Sequence, residues 1–157
     1  MRSFFIIRLS ATRSMIEELD LTNAAHSYRL KEFSLLEHPP SFRYFKNRVF
    51  EDAIKTHKIT ILYSADDKKD VAYAHIDMDG PTERPFFGIC VLPEYQSKGI
   101  GKLLTNHILQ RFSGTVYLTV DNDNLTAISL YKRFGFEQVE SYTRSGLWRR
   151  VALATSQ

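Results

Sequence analysis

The chain predicts a mixed α/β domain built on one sheet. Short apolar stretches with period-two alternation recur from "ITILYS" (59–64) to "LWRRVALA" (147–154). Between them lie segments whose apolar residues return every three or four positions, the spacing of one helix face. The two kinds of segment interleave in the order β-α-α-β-β-β-α-β-α-β-β. No repeat, low-complexity run or linker interrupts them, so residues 1–157 read as a single domain.

The elements follow in order. Phe4 to Leu9 is a first strand candidate. "SMIE" (14–17) has capping-box spacing, which predicts a helix from Ser14 running, with a break, towards Leu36. "HPPS" forces a turn. Ser41 is placed to cap a second helix through Phe42, Phe45, Val49, Ala53 and Ile54. "ITILYS" and "VAYAHIDM" alternate on either side of the polar "ADDKKD" and predict a hairpin. "FFGICVL" (86–92) is largely apolar and predicts a strand buried on both faces. A glycine-rich corner leads into a helix whose face carries Ile100, Leu103, Leu104, Ile108 and Phe112. "TVYLTV" (115–120) is the next strand. Asn124 is a good N-cap for a helix through Ala127, Leu130, Tyr131 and Phe134, and Gly135 is placed to close it. "FEQVESY" and "LWRRVALA" read as closing strands around a turn at Ser145-Gly146.

Composition narrows the function classes. Hydrophobic residues make up 43% and charged residues 25%, an ordinary folded balance. No apolar run is long enough to span a membrane, and "FFII" near the start lacks a cleavage pattern. The single cysteine, Cys90, excludes an internal disulfide and a cysteine-based zinc cluster, and fits a reducing cytoplasm. The net charge of +3 comes without a Lys/Arg block, which argues against nucleic acid and suits an anionic small molecule.

The corner "VLPEYQSKGIGKLL" (91–104) carries the chemistry. Its glycines let backbone N–H groups approach a ligand, and the following helix start adds positive dipole, so amides alone can hold a phosphate. A Walker loop fails here twice, at Gln96 and at Leu103. A dinucleotide fingerprint lacks its third glycine, since residue 104 is Leu. What fits is Gln-x-x-Gly-x-Gly after Val-x-Pro: Gln96-Ser97-Lys98-Gly99-Ile100-Gly101 behind Val91 and Pro93. Downstream, "NLTAISLYKRFGF" (124–136) fits Asn-x-x-Ala-x-x-Leu-Tyr-x-x-x-Gly-Phe. With both motifs in this order the chain resembles the GCN5-related N-acetyltransferases, the GNAT superfamily.

The resemblance implies a mostly antiparallel sheet with one splayed parallel strand pair and about four flanking helices. It implies acetyl-CoA as co-substrate, no metal, and a direct transfer to an amine. The splayed strands would be Phe86–Leu92 and Thr115–Val120. Cys90, Val91 and Leu92 would hold the cofactor arm through their main chain. The amides of Gln96, Ser97, Lys98, Gly99, Ile100 and Gly101 would hold the pyrophosphate. Lys98 or Lys102 either adds charge there or is only solvated. Asn124 would touch the cofactor, cap its helix, or do both. Tyr131 matches the tyrosine near the cofactor sulfur, a general acid for the leaving thiolate.

The general base departs from the pattern. Glutamates that many protein-acetylating members carry fall here at Pro85 and Thr119, neither of which takes a proton. Val71, Tyr73, His75, Asp77 and Asp79 alternate to one strand face, so His75 and Asp77 stand side by side as substitutes. They either touch substrate or are structural. Glu83 is a weaker candidate. In "SFRYFKNRVF" (41–50), Arg43, Tyr44 and Arg48 either hold an anionic acceptor or are solvated. Cys90 reads as an inert buried thiol. The expectation is a small-molecule amine acceptor, such as an amino sugar or a nucleotide-linked one. A protein or peptide amine, and a non-catalytic CoA-binding module, are the alternatives. Members often pair, so a homodimer is among the expected assemblies; nucleic acid and membrane are not.

Overall fold

The computed structural model describes residues 16–78 and 81–151. The expected strand at Phe4–Leu9, the capping residue Ser14 and Asp79 lie outside them. Among the described residues, seven strands form one sheet in the order β1-β2-β3-β4-β5-β7-β6. They are β1 (Ile16–Glu18), β2 (His57–Ser64), β3 (Asp70–Met78), β4 (Pro85–Val91), β5 (Val116–Asp121), β6 (Glu137–Ser141) and β7 (Ser145–Arg150). Every neighbouring pair is antiparallel except β4 and β5. The helices are α1 (Ala24–Ser34), α2 (Phe50–Ala53), α3 (Ile100–Arg111) and α4 (Leu125–Arg133). The expected fold class is therefore found: mixed α/β, mostly antiparallel, with one parallel pair.

Several expectations are corrected. The helix placed at Ser14 starts instead at Ala24, where the Asn23 side chain accepts from the amides of Ala25 and His26. Ile16–Glu18 pairs with Ile61–Tyr63 as an edge strand, and Leu19 N–H extends the pairing to Thr60 O. The capping-box spacing lost to the hydrogen bonds of a sheet edge. The helix placed at Ser41 is a chain of turns, and only Phe50–Ala53 is α-helical before a 3₁₀ turn at Ile54–Thr56. Phe42 and Phe45 both pack on Tyr73, and Tyr44 packs on His75. A helix would turn residue 44 roughly 200° away from residue 42, so it cannot deliver all three rings to one strand.

The last turn spans Tyr142–Arg144, closed by Tyr142 N–H donating to Ser145 O. Ser145 and Gly146 are already in β7, opposite Asp121 and Val120. Gly146 is small because the Gln138 side chain lies where its Cβ would be. Within "FFGICVL", Phe87 and Cys90 are buried, whereas Phe86, Gly88, Ile89 and Val91 are half-buried. One edge of this strand opens onto a cleft.

The core joins Ile61, Leu62, Ala72, Ala74 and Ile76 from the hairpin to Ile100, Leu104 and Ile108 of α3. Helix α3 packs across β2, β3 and β4. Leu103, expected on the apolar face, is 45% exposed, while Leu104 is fully buried. The two leucines thus separate core from surface on one turn. Leu104→Ala should cost about 2–5 kcal/mol in urea unfolding, and Leu103→Ala less than about 0.5 kcal/mol; equal losses would mean that the face is misassigned.

Candidate active site

Strands β4 and β5 run parallel but pair only at Phe86 opposite Tyr117. Their rings lie 5.7 Å apart, under the Arg84 guanidinium. Beyond that point β4 continues alone on this side. Its other edge is fully paired with β3, from Met78–Pro85 to Ala72–Val91. Leu92 N–H donates to Val71 O, so the pairs in phase with it, Tyr73–Cys90 and His75–Gly88, are the hydrogen-bonded ones. Ile89 and Val91 consequently turn their N–H and C=O groups towards the gap. The Val91 carbonyl accepts from Gln96 Nε2 at 3.0 Å.

This refines the main-chain contacts implied for Cys90, Val91 and Leu92. Cys90 faces β3, and Leu92 is committed on both sides, its carbonyl accepting from Tyr95 N–H. Val91 and Ile89 carry the open polar edge instead. Ile89 was missed because alternation from an unknown origin cannot tell which residues pair inward. Burial pushes the Cys90 thiol up to about 12, so it stays protonated and inert.

The corner after β4 bares the start of α3. Pro93–Tyr95 form a 3₁₀ turn, Ser97 and Gly99 take positive φ (64° and 84°), and Gly99 is the N-cap. No side chain caps this helix, in contrast to Asn23 on α1 and Asn124 on α4. Its first-turn N–H groups, Ile100 to Lys102, lack partners within the helix and carry the positive dipole end. Gly101 keeps the wall low, with only Leu130 and Val91 methyls 4.0 Å from where a Cβ would sit. Gln96, Ser97, Ile100, Gly101 and Asn124 line one cavity of about 390 Å³ with Val91 and Tyr131. Lys98 lies with its Nζ 5.7 Å from the Tyr95 ring centre, and Lys102 is exposed.

A second cavity, about 440 Å³, lies across the strand gap. His75, Asp77, Tyr44, Arg48, Phe87 and Thr119 contribute to its wall. The two cavities share Ser41, Phe42, Ile89, Asn124 and Tyr131. Tyr131 is buried on α4, edge-on to Phe87 with ring centres 6.1 Å apart. Burial pushes its hydroxyl up to about 12, so it holds its proton. Asn124 caps α4 through Ala127 N–H at 3.2 Å and also lines both cavities.

His75 and Asp77 do stand together, both buried, but through intermediates. Asp77 Oδ1 accepts from Thr56 Oγ1 at 2.6 Å and lies 3.2 Å from His57 Nδ1. His57 Nε2 bonds the Tyr73 hydroxyl, which bonds His75 Nδ1 at 2.6 Å. His75 Nε2 lies where a Cβ on Gly88 would be, so only glycine fits opposite it. Burial first, then the nearby His57, holds the His75 pKa well below 6.5. Burial alone would raise Asp77, but the hydrogen bonds from His57 and Thr56 outweigh it and keep the carboxyl below 3.8. Simple alternation puts His57 on the opposite face from His75. A register shift between His57 and Ile59 brings it opposite Asp77, and that bulge has no signal in the sequence.

Arg43, Tyr44 and Arg48 are not loose surface groups. Arg43 forks onto Asp121 at 2.9 and 3.1 Å. The Arg48 guanidinium stacks 4.1 Å over the Tyr44 ring. Burial, then the Asp77 carboxylate beside it, raises the Tyr44 hydroxyl well above its usual range. Glu83 sits in the β3–β4 turn with φ 55° and does not line either cavity.

Residues 22–136 match the acetyltransferase (GNAT) family profile. The chain belongs to the GNAT family. Over 73 residues it is 41% identical to an N-alpha-acetyltransferase, RimI, of Mycobacterium tuberculosis, covering 44% of this chain and 46% of that one. Over 77 residues it is 31% identical to mycothiol acetyltransferase of Acidothermus cellulolyticus, covering 48% and 24%. This GNAT chain thus spans less than half the length of either curated relative. Its fold is similar to that of a phosphinothricin acetyltransferase from Sinorhizobium meliloti, solved in complex with AcCoA. There the TM-score is 0.59, the identity 17% and the coverage 87% of each chain.

The low His75 pKa has a consequence for stability. Unfolded, His75 takes up a proton near pH 6.5; folded, it refuses one until lower pH. Its contribution is therefore complete above about pH 6.5 and is lost as pH falls below it. Calorimetry should show Tm declining below that pH, with a shallower decline in His75→Gln. An identical slope in the variant would contradict a neutral buried His75.

Proposed function

We propose that this chain transfers an acetyl group from acetyl-CoA directly to a primary amine of a small molecule. One observation carries the reading: a cavity walled by open strand amides and an uncapped helix start meets a second, polar cavity at Tyr131. The amides of Ile89 and Val91 would bind the extended arm of CoA, and those of the Gln96–Gly101 corner its pyrophosphate. The co-substrate supplies an activated thioester, whose carbonyl carbon the amine nitrogen attacks. Tyr131, still protonated near neutral pH, donates its proton to the departing thiolate, and the second proton lost from the acylated nitrogen restores the Tyr131 hydroxyl. His75 Nε2 accepts a proton from the incoming ammonium on the opposite side. The solved relative with AcCoA supports the donor assignment.

The acceptor cavity favours a compact polar amine. Thr119 and Pro85 stand where a carboxylate base is expected in protein-directed members. Arg48, at the wall over Tyr44, is the candidate for an anionic group on the acceptor, as in a nucleotide-linked amino sugar. A peptide α-amine is the second reading, favoured by the 41% identity to an N-alpha-acetyltransferase.

Incubation with acetyl-CoA and a panel of amino sugars, polyamines, amino acids and peptides, read by product mass, separates these. CoA binding without any acetylated product would replace catalysis with a binding role. Tyr131→Phe should lower kcat about 10²-fold with KM for acetyl-CoA unchanged; an undiminished kcat removes the general acid. His75→Ala should lower kcat/KM for the amine and alter its pH profile, and a variant unchanged in both would remove His75 from the mechanism.

A further inference from the structure

We propose that Asp77, His57, Tyr73 and His75 form a directional proton relay, which carries the proton taken at His75 Nε2 to His57 beside Asp77. The inference deepens the acetyltransfer reading and rests on it. Its direction follows from donor counting. The Asp77 carboxylate only accepts, so the bond to His57 Nδ1 must be donated by His57. Neutral His57 then has a bare Nε2, and the Tyr73 hydroxyl must donate to it. Tyr73 has one proton. Its 2.6 Å bond to His75 Nδ1 must therefore run the other way, with His75 donating. That leaves Nε2 unprotonated, above Gly88, on a histidine that lines the acceptor cavity.

The relay balances. The ammonium N–H breaks and Nε2–H forms on His75. The His75 Nδ1 proton passes to the Tyr73 oxygen as the original Tyr73 proton passes to His57 Nε2. The amine lone pair is released, and the charge ends as His57⁺ against Asp77⁻. A cation left on His75 would be buried without a partner; on His57 it is paired.

The surroundings add little competing charge. Thr56 on the 3₁₀ turn donates to the same Asp77 oxygen. Tyr44 from the 40–48 segment stays protonated, as does Cys90 beside Tyr73 on β4. Arg48, outside Tyr44, is the one further cation acting on His75 among the described residues. His57 and Tyr73 touch no acceptor; they are positioning residues acting through His75.

Nitrogen-15 NMR of histidine-labelled protein near neutral pH reads the tautomers directly. Both His57 and His75 should carry the proton on Nδ1 with Nε2 bare. Nε2–H on His75 overturns the relay whatever the enzyme acetylates. Nδ1–H on both, with no amine on the panel acetylated, would sustain the relay's geometry and retire the acetyltransfer reading instead. Tyr73→Phe keeps the packing and cuts the chain. It should release the His75 tautomer, lower kcat about 10²-fold at unchanged KM for acetyl-CoA, and move the acid limb of kcat/KM to lower pH. An unchanged rate and limb would sink the proposal. Should that variant fail to fold, Asp77→Asn tests the other end: loss of the Nδ1–H tautomer on His57 supports the relay, and its retention with full activity overturns it.

Discussion

The parting of β4 from β5 is the constraint on which the rest of the molecule depends. A parallel pair held at a single register point leaves a row of strand amides without a sheet partner. Elsewhere that would be a defect, because unpaired buried backbone is costly. Here the opening is held from both sides. On one flank β4 is locked into the long antiparallel register with β3, and on the other β5 is locked into β7 over six residue pairs. The two halves are each rigid, so the gap between them keeps its width. Helix α3 then starts at the end of the gap with its first amides bare. Both features present N–H donors to the same cavity.

The second constraint is polar and sits in the wall of that same structure. Tyr73 is fully buried, surrounded by Phe33, Phe42 and Phe45, and yet its hydroxyl serves two histidines. A buried network of this kind is stable only when complete, since each missing partner leaves a desolvated group behind. It is complete here: among the described residues no buried side-chain nitrogen or oxygen lacks a partner. The aromatic turns of residues 40–48 pack over Tyr73 and His75 of the chain Asp77–His57–Tyr73–His75 and also line the second cavity. Packing and chemistry are thus supplied by one segment, which explains why it gives up a regular helix.

What could be read from sequence divides along the range of the interaction. The strands of the hairpin, α3, α4 with its Asn124 cap, and the glycine corner before α3 are governed by local periodicity, capping and glycine spacing, and those appear as expected. Tyr131, His75, Asp77 and Asn124, singled out on separate elements, line one cavity. The failures are non-local. Ile16–Glu18 became a strand because β2 had a free edge. The 40–48 turns were fixed by rings on β3. His57 reached Asp77 through a bulge. Leu103 and Leu104 compete for one face, and only the packed sheet decides between them. None of these has a signature within ten residues of itself.

The environment also separates the proposed acid from the proposed base. Tyr131 and His75 face the shared cavity system from opposite elements, α4 and β3. Burial acts on both, with opposite sense for proton affinity: it makes the phenol hold its proton more firmly and the imidazole refuse one. For Tyr131 that keeps the proton in place near neutral pH but makes the phenol a weaker acid towards a thiolate. For His75 it would be a handicap if the imidazole had to keep the charge. An imidazole that passes the charge on to a carboxylate-paired partner escapes it, because its own affinity then governs only a transit step. In the proposed relay the depressed pKa of His75 and the presence of His57 go together: burial would keep the accepting nitrogen neutral and available, and the Asp77 end would provide the resting place for the proton.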